Sequence, residues 1–291
     1  MPELPEVETV RRGLHELIIG LTIKSVREIN SPKSFPNAST DIEGFFIGAK
    51  ITDVRRRAKV LLIDLSSGYT LVVHLKMTGQ LVFRAKTVAF GAGHPTDSLV
   101  GELPDRSTRV VIEFTNGSHL YFNDQRKFGW MKLYPTVEVP NIDFMKKVGP
   151  EPLEDEFIAK DFIQRIRRRN GTTIKAAILD QTVLAGVGNI YADESLWGAK
   201  IHPATRVRDV SDTQLTELLK EIKYVMNLAI EKGGSTDKNY VNAEGKRGSY
   251  IDFARVFRRE GQECPRHPGI VIEKIRVAGR GTHICQHCQR K

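Results

Sequence analysis

The first apolar run of the chain recurs with the spacing of an α-helix, and it predicts a helix over residues 5–18. Gly20 ends the run, and Pro5 suits the first helical turn because its missing N–H has no intrahelical role there. Glu6 suits the positive end of the helix. The apolar positions that define the run are Leu4, Val7, Val10, Leu14 and Leu17.

Residues 20–135 follow a different pattern, in which short apolar runs are separated by turn signals such as SSG and NGS. This pattern of short apolar runs and turns predicts an antiparallel β-sandwich or barrel. Residues 85–107 contain several Gly and Pro residues and predict a long loop. The strand-like runs are KITDVRRR, VLLIDL, TLVVHLKM, RVVIEF and HLYFND.

Helical periodicity returns after a linker at residues 136–152 and continues through residues 153–255. Its last helix has a capping pair, Ser211 and Gln214, and stops at Gly233. Residues 233–255 read as a loop, and residues 256–291 form a small cysteine-containing module. The chain is therefore predicted to be an α+β multidomain protein with a β-rich domain at residues 1–135.

The charge balance favours a polyanionic partner. The 291 residues include 44 Lys and Arg against 35 Asp and Glu, which gives a net charge of +9 and a pI of about 9.4. Nucleic acid is the first candidate, and an anionic membrane is the second. No apolar run approaches the roughly 18 residues of a spanning helix, and the acidic start does not resemble a signal peptide. We therefore expect a soluble intracellular protein that does not enter a membrane.

All three cysteines lie in the last 28 residues, where their spacing predicts a metal site. Two residues separate Cys264 from His267, two separate Cys285 from Cys288, and 17 lie between the pairs. This is the pattern of a four-ligand zinc site built from two short turns. His283 and His287 could compete with His267, but they break the two-residue spacing. A closed four-ligand site has no open position, so the zinc is expected to be structural.

Several cations stand beside turns that could approach a nucleic acid. Arg280 lies in VAGRGT, which predicts a tight hairpin with a cation at its tip. Asn189 follows two glycines at a predicted helix start, a place that binds anions. Arg126 and Phe128 fall on one side of DQRKFGW, and Met77 lies in HLKMTG. Burial in the core is the simpler interpretation of Phe128 and Met77, although apolar residues beside Arg also open base stacks.

Taken together, these motifs resemble the bacterial formamidopyrimidine-DNA glycosylase family over essentially the whole chain. The motifs that carry the resemblance are MPELPEVETVRRGL, the Lys59 segment, HLKM, RKFG, AGVGNIYADESLW, GGST and VAGRGTHICQHC. The resemblance implies an N-terminal β-sandwich, a helix-two-turn-helix domain and a C-terminal zinc-finger β-hairpin. It also implies a glycosylase and AP lyase that removes 8-oxoguanine and formamidopyrimidines from damaged duplex DNA by β,δ-elimination.

The resemblance assigns a catalytic role to the start of the chain. After removal of Met1, Pro2 would be the nucleophile that attacks C1′ and forms a Schiff base. Glu3 would be the general acid and base, and Lys59 would bind phosphate and assist catalysis. Glu6 would shape the same pocket, with helix capping as the alternative role.

The remaining family positions would contact DNA. Met77, Arg126 and Phe128 match the wedge residues that fill the space of a flipped nucleotide, and the loop at residues 233–250 corresponds to the segment that closes over it. The matches to phosphate-contacting positions are His74, Lys175, Asn189, Lys274 and Arg280. The resemblance further implies one structural zinc ion, a monomer and a bacterial cytoplasmic location at the nucleoid.

The sequence departs from the family pattern at four places. His267 replaces a cysteine and shifts the following spacing by one residue, and Phe257 stands where many members have a phosphate-bonding tyrosine. Thr78 replaces a Glu of some members, and the 85–107 loop looks longer than usual. Three alternatives stay open: an endonuclease VIII-type enzyme for oxidised pyrimidines, a non-catalytic lesion-binding protein and a zinc-ribbon RNA-binding protein. The motif PELPEVET favours the purine branch over the first.

Overall fold

A computed structural model describes residues 2–94, 96–234 and 250–291, which divide into two compact units. The first unit holds the chain up to Lys146 together with Lys232–Gly234. The second holds Lys147–Glu231 and Tyr250–Lys291. The predicted loop at 233–255 therefore lies partly outside the described residues, and its first residues group with the β-rich unit. None of the helices in the described ranges has the length and apolar character needed to cross a membrane.

The first unit consists of helix α1 and two antiparallel sheets that share one core. Helix α1 spans Leu4–Ile18, and its apolar face is buried as the periodicity predicts. One sheet has the strand order β1-β7-β8-β5-β6 and the other β2-β3-β4-β9. The strands are β1 Ile23–Glu28, β2 Ile51–Arg57, β3 Val60–Leu65, β4 Tyr69–His74, β5 Gly79–Arg84, β6 Ala89–Gly93, β7 Thr108–Phe114, β8 His119–Asp124 and β9 Trp130–Pro135.

The alternation of strand residues explains how one sheet faces two clusters. Leu61 and Ile63 of β3 point into the core shared with α1, whereas Val60 and Leu62 pack on the other side with Val139. Short helical segments complete this unit: α2 at Ser39–Asp41 continues into a π-turn at Ile42–Phe46, and α3 at Asp143–Lys147 lies at the boundary with the second unit. The predicted β-sandwich is confirmed.

The predicted loop at residues 85–107 is wrong in one respect, because it contains the edge strand β6. Phe90 and Ala92 of this strand enter the core, and the ring of Phe90 covers Gly13 of α1 so closely that a Cβ at Gly13 would overlap it. The glycines of AFGAG weaken the strand signal of a segment that pairs with β5 and packs Phe90 and Ala92 into the core. A 3-10 turn follows at Asp97–Leu99.

The second unit contains four helices and the zinc-finger segment. The helices are α4 Ala159–Ile166, α5 Ile174–Leu179, α6 Asn189–Gly198 and α7 Asp212–Glu231. The predicted capping pair is present, since Ser211 N–H donates to Gln214 Oε1 at 3.0 Å and Gln214 N–H donates to Ser211 Oγ at 3.2 Å. The strands β10 Glu263–Cys264, β11 His267–Val271, β12 Glu273–Val277 and β13 Arg280–Ile284 form two hairpins.

Candidate active site

The start of α1 holds the three N-terminal candidates in a buried capping box. Glu3 is the N-cap residue, and its side chain accepts from the backbone N–H of Glu6. Glu6 Oε2 in turn accepts the Glu3 N–H at 2.7 Å. Pro2, Glu3 and Glu6 are all buried. The alternative role of Glu6 as a helix cap is therefore present in the structure, and the cap fixes the backbone one residue beyond the Pro2 ring.

The first glycines of the GGST motif approach the same capping box. Gly234 has a left-handed backbone (φ +86°), and a Cβ at this position would lie 3.3 Å from Cγ and Oε1 of Glu6. A larger residue at position 234 would press on the side chain that caps the Glu3 N–H. The rest of the predicted lesion-capping loop at residues 233–250 lies outside the described residues.

Lys59 lies in the two-residue turn between β2 and β3 and is only 6% exposed. Ala58 takes a positive φ of 52° in this turn. Arg56 ties the turn to α1, since it donates to Ala58 O at 2.9 Å and to Glu8 Oε2 at 3.1 Å. Burial alone would raise the pKa of Glu8, but its hydrogen bonds and charge contacts with arginines lower that pKa below its ordinary value.

His74 ends β4 as a neutral imidazole. Burial first, and then the positive charges of Lys76 and Lys59, lower the pKa of His74 to about 3. Its Nδ1 accepts the backbone N–H of Lys76 at 3.1 Å, so the ring proton is assigned to Nε2. A phosphate at this position would therefore meet a neutral N–H donor.

Met77 and Phe128 are exposed, which excludes the simpler interpretation that they belong to the core. Their exposed fractions are 38% and 55%. The guanidinium of Arg126 lies 4.9 Å from the centre of the Phe128 ring. Two exposed apolar side chains and an arginine on neighbouring turns form a surface suited to contact with base faces.

The glycine-rich start of α6 brings Asn189 against the zinc-finger hairpin. Gln181 fixes the preceding loop, because its amide donates to Val187 O at 2.9 Å and accepts the Gly186 N–H at 2.9 Å. Asn189 Nδ2 donates to Gly281 O at 3.0 Å. Gly281 directly follows Arg280, so two predicted phosphate contacts on different elements lie side by side.

Arg280 is exposed and opens strand β13, while Ala278 and Gly279 form the turn itself with φ values of 49° and 76°. Positive φ at both central residues is the geometry of a type I′ hairpin. Lys274 stands on β12 and pairs with Glu260 Oε1 at 3.2 Å.

Lys175 is a correction to the predicted set of phosphate contacts. Its side chain is fully buried, and its ammonium donates to Asp193 Oδ1 at 2.6 Å and to Thr282 Oγ1 at 2.7 Å. The same Asp193 accepts the His283 N–H at 2.9 Å. Burial contradicts a contact between this ammonium and a DNA phosphate, and the residue instead joins α5, α6 and β13.

The predicted zinc ligands come together, and their geometry fits the ion. The ligand atoms of Cys264, His267, Cys285 and Cys288 all lie within 4.8 Å of one another. Cys264 Sγ and Cys288 Sγ are 3.7 Å apart, close to the separation of about 3.8 Å that two Zn–S bonds of about 2.3 Å subtend in a tetrahedron. His267 presents Nδ1 at 3.1 Å from Cys288 Sγ.

The donor set, three thiols and one imidazole, also suits zinc. Thiolates are the form that binds zinc, and the charge of the ion is what displaces their protons. The four residues would hold one structural zinc ion that joins β10 and β11 to the end of the chain.

Sequence reasoning missed three buried carboxylates that organise these elements. Asp124 lies beneath the Arg126 turn, and Asp193 links α6 to β13. Glu194 accepts the N–H groups of Arg255, Val256 and Phe257 at 2.8–2.9 Å. Burial, and then the nearby charge of Glu194, raise the pKa of Tyr250. Asp193 and Glu194 accept from residues distant in sequence, and Asp124 joins its own turn to the remote Thr78, so no local pattern reveals these links.

Three family profiles match successive parts of the chain. Residues 1–131 match the formamidopyrimidine-DNA glycosylase N-terminal domain. Residues 148–240 match the formamidopyrimidine-DNA glycosylase H2TH domain. Residues 261–290 match the zinc finger found in FPG and IleRS.

Relatives and solved structures match over the full chain. A formamidopyrimidine-DNA glycosylase of Herpetosiphon aurantiacus is 43% identical, covering 99% of this chain and all of the relative. One from Desulforamulus reducens is 40% identical, covering 100% and 99%. Lactococcus lactis Fpg in complex with abasic-site DNA superimposes with a TM-score of 0.86 at 33% identity, covering 99% of this chain and 100% of that one. A mutant of the same enzyme bound to Fapy-dG DNA also gives 0.86 at 33% identity and covers both chains fully.

Proposed function

The chain belongs to the formamidopyrimidine-DNA glycosylase family and is a base-excision repair DNA glycosylase, and we propose that the amine of Pro2 is its nucleophile. Its substrates are 8-oxoguanine and formamidopyrimidines paired with cytosine in duplex DNA. The formamidopyrimidine-DNA glycosylases that the chain resembles and the Fapy-dG complex of the Lactococcus lactis enzyme support this substrate class. The enzyme then cleaves the strand as an AP lyase.

The buried capping box is the observation that carries the proposal. An N-terminal amine is normally mobile, because chain ends lack neighbours on one side. Here Glu3 and Glu6 fix the backbone immediately after Pro2, so the amine is held in one place. An α-amine has an ordinary pKa of about 8, and the positive end of α1 disfavours its protonated form further. A larger fraction of this amine than of a lysine side chain, whose ordinary pKa is about 10.4, is therefore available as a nucleophile near neutral pH.

The chemistry follows from a secondary amine at this position. The Pro2 nitrogen attacks C1′, the glycosidic C–N bond breaks, and the base leaves with the bonding electrons and takes up a proton. The sugar ring then opens to an iminium ion on Pro2. The iminium acidifies C2′, so loss of a C2′ proton expels the 3′ phosphate, and a second elimination expels the 5′ phosphate. Water finally hydrolyses the iminium and frees the amine.

Glu3 and Lys59 support these proton transfers. The Glu3 carboxyl group is the group nearest in sequence to the amine, and it moves protons between the amine and the sugar. Lys59 is held by a turn that Arg56 fastens to α1, and its ammonium balances phosphate charge. Glu6 holds the Glu3 backbone, so we assign it a positioning role.

The DNA contacts divide between phosphates and bases. Arg280, Asn189 and Lys274 of the second unit and His74 of the first bind phosphates. Met77, Arg126 and Phe128 enter the space left by the flipped nucleotide. One structural zinc ion holds the zinc-finger segment. The enzyme acts as a monomer on the bacterial chromosome in the cytoplasm.

Borohydride trapping tests the proposal. The protein is incubated with an 8-oxoguanine:cytosine duplex, reduced and digested, and the cross-linked peptide is mapped by mass. We expect the link at Pro2, which also requires removal of Met1. A link at Lys59 would keep the lyase activity but overturn the assignment of the nucleophile. Tight binding without any cross-link would favour the non-catalytic alternative.

A further inference from the structure

Two surface turns of the first unit are joined by a buried carboxylate that none of the roles above uses. One turn contains Met77 and connects β4 to β5. The other contains Arg126 and Phe128 and connects β8 to β9. Asp124 lies at the base of the second turn with a fully buried side chain.

The Asp124 carboxylate accepts three hydrogen bonds that span both turns. Within its own turn, Oδ1 accepts the Arg126 N–H at 3.1 Å and Oδ2 accepts the Gly129 N–H at 2.6 Å. Across to the other turn, Oδ1 accepts the hydroxyl of Thr78, and the Thr78 oxygen also lies 3.1 Å from the Arg126 nitrogen. Thr78 directly follows Met77, so this hydroxyl is the link between the two turns.

The surrounding backbone leaves this arrangement little freedom. A Cβ at Gly129 would lie 2.8 Å from the Phe122 ring and 3.0 Å from Asp124 Oδ2, so the turn closes tightly on the carboxylate. Lys76 and Lys127 both take positive φ values, of 50° and 57°. Residues other than glycine adopt that region when hydrogen bonds around them specify it. The hydrogen bonds to Asp124 and to Thr78 hold the two turns in the conformation that these positive φ values require.

We propose that Thr78 and Asp124 are positioning residues that hold the two turns in one register, so that Met77, Arg126 and Phe128 enter the base stack as a single rigid wedge. The inference rests on the wedge role given under the proposed function. Its physical reason is preorganisation: two exposed turns that moved independently would have to be ordered at the moment of insertion, and this would lower the rate at which the lesion is extruded.

The test uses Thr78→Val, which keeps the side-chain shape and removes the hydroxyl from a half-buried site. Thr78→Ser restores the hydroxyl, and Asp124→Asn is a second variant that weakens the acceptor. The matched control is Thr70→Val, because Thr70 is also a threonine that donates to an aspartate of the same unit, Asp64, at 2.7 Å. Thermal unfolding is recorded for every variant.

Three readouts separate a positioning role from a loss of stability. The first is single-turnover excision of 8-oxoguanine from a duplex. The second is the fluorescence change of 2-aminopurine beside the lesion when the protein binds, which reports opening of the stack. The third is borohydride trapping on a single-stranded abasic oligonucleotide, where no stack has to be opened.

We expect Thr78→Val to lower duplex excision about ten-fold, the effect of one lost hydrogen bond to a charged group, and to reduce the 2-aminopurine response. Trapping on the single strand should stay unchanged, and Thr78→Ser should recover the duplex rate. Thr70→Val should change neither the rate of duplex excision nor the 2-aminopurine response. Equal duplex excision by Thr78→Val and the wild-type protein would overturn the positioning role. Equal losses on the duplex and the single strand would also overturn it.

The failure of the proposed function gives a different result. If the wild-type protein traps neither substrate, the glycosylase mechanism itself is wrong and the inference falls with it. If the wild-type protein traps both but Phe128→Ala leaves duplex excision and the 2-aminopurine response unchanged, the wedge assignment alone is wrong.

Discussion

Replacing Asp193 by Asn should destabilise the second unit by about 3–5 kcal/mol, the typical cost of removing one partner of a buried ion pair. Asp193 and Lys175 both have fully buried side chains, and their charged atoms are 2.6 Å apart. The Asn side chain has nearly the same shape, so packing is preserved. What changes is the charge, because the Lys175 ammonium loses the carboxylate that it contacts in a site closed to water.

A double variant isolates the interaction free energy between Lys175 and Asp193. Lys175→Met removes the ammonium and leaves Asp193 with the N–H of His283 as a donor. In the combination Lys175→Met with Asp193→Asn, neither charge remains, and the Asn oxygen still accepts from His283. We therefore expect the double variant to be more stable than the sum of the single effects predicts, by about 2 kcal/mol or more.

The two tryptophans make the measurement specific. Trp130 lies in the first unit and Trp197 in the second, where it packs with Cys264, Cys285 and Val256. In a Trp130→Phe background, fluorescence follows the second unit alone during guanidinium unfolding at fixed zinc concentration. With an m-value of about 4 kcal/mol per molar, the midpoint should fall by about 1 M.

Either of two results would refute the reasoning about Asp193. If both single variants lowered the unfolding free energy by less than about 1 kcal/mol, the pair would not carry the energy of a buried charge. If the effects simply added, Lys175 and Asp193 would act independently, and their contact would be incidental. A Trp197→Phe background, which leaves the Trp130 signal of the first unit, should show no shift in any variant.

Two further predictions concern DNA binding and pH. Arg280→Ala should weaken binding to damaged and undamaged duplexes equally and reduce the slope of log affinity against log salt by about 1, because one phosphate contact is lost. Fluorescence anisotropy at several salt concentrations measures both, and a loss confined to one lesion would contradict a phosphate role. The pKa of His74 is about 3 in the folded protein, below its unfolded value of about 6.5, so its stabilising effect is present above pH 6.5 and is lost as the pH falls. Between pH 7.5 and 5.0, His74→Asn should therefore lose about 2 kcal/mol less of its unfolding free energy than the wild-type protein, as measured by guanidinium unfolding. Equal losses in the two proteins would contradict a buried neutral His74.

The predictions that rested on local spacing agree with the structure. The zinc ligands and the Ser211–Gln214 cap were found from sequence, because ligands two residues apart or capping residues three apart meet through the geometry of a single turn. The helix α1 was found for the same reason, since one amphipathic period specifies which face is buried.

Predictions that depended on tertiary context were incomplete. The basic side chain of Lys175 reads as a phosphate contact, and only the fold brings Asp193 and Thr282 to it. The exposure of Phe128 could not be decided from alternation, because it lies in a turn rather than in a strand. The sequence predicts a loop at strand β6, since its glycines weaken the strand signal and its support comes from β5 and α1, which are remote in sequence.

The contact between Gly13 and Phe90 makes two remote positions of the gene dependent on each other. Any side chain at position 13 would overlap the Phe90 ring, and a smaller ring-free residue at 90 would leave a void over α1. Substitutions at the two sites should therefore be recovered together in a randomised library selected for repair, as compensating pairs. A strand at the edge of one sheet thus limits which residues are tolerated in the helix that follows the proposed nucleophile.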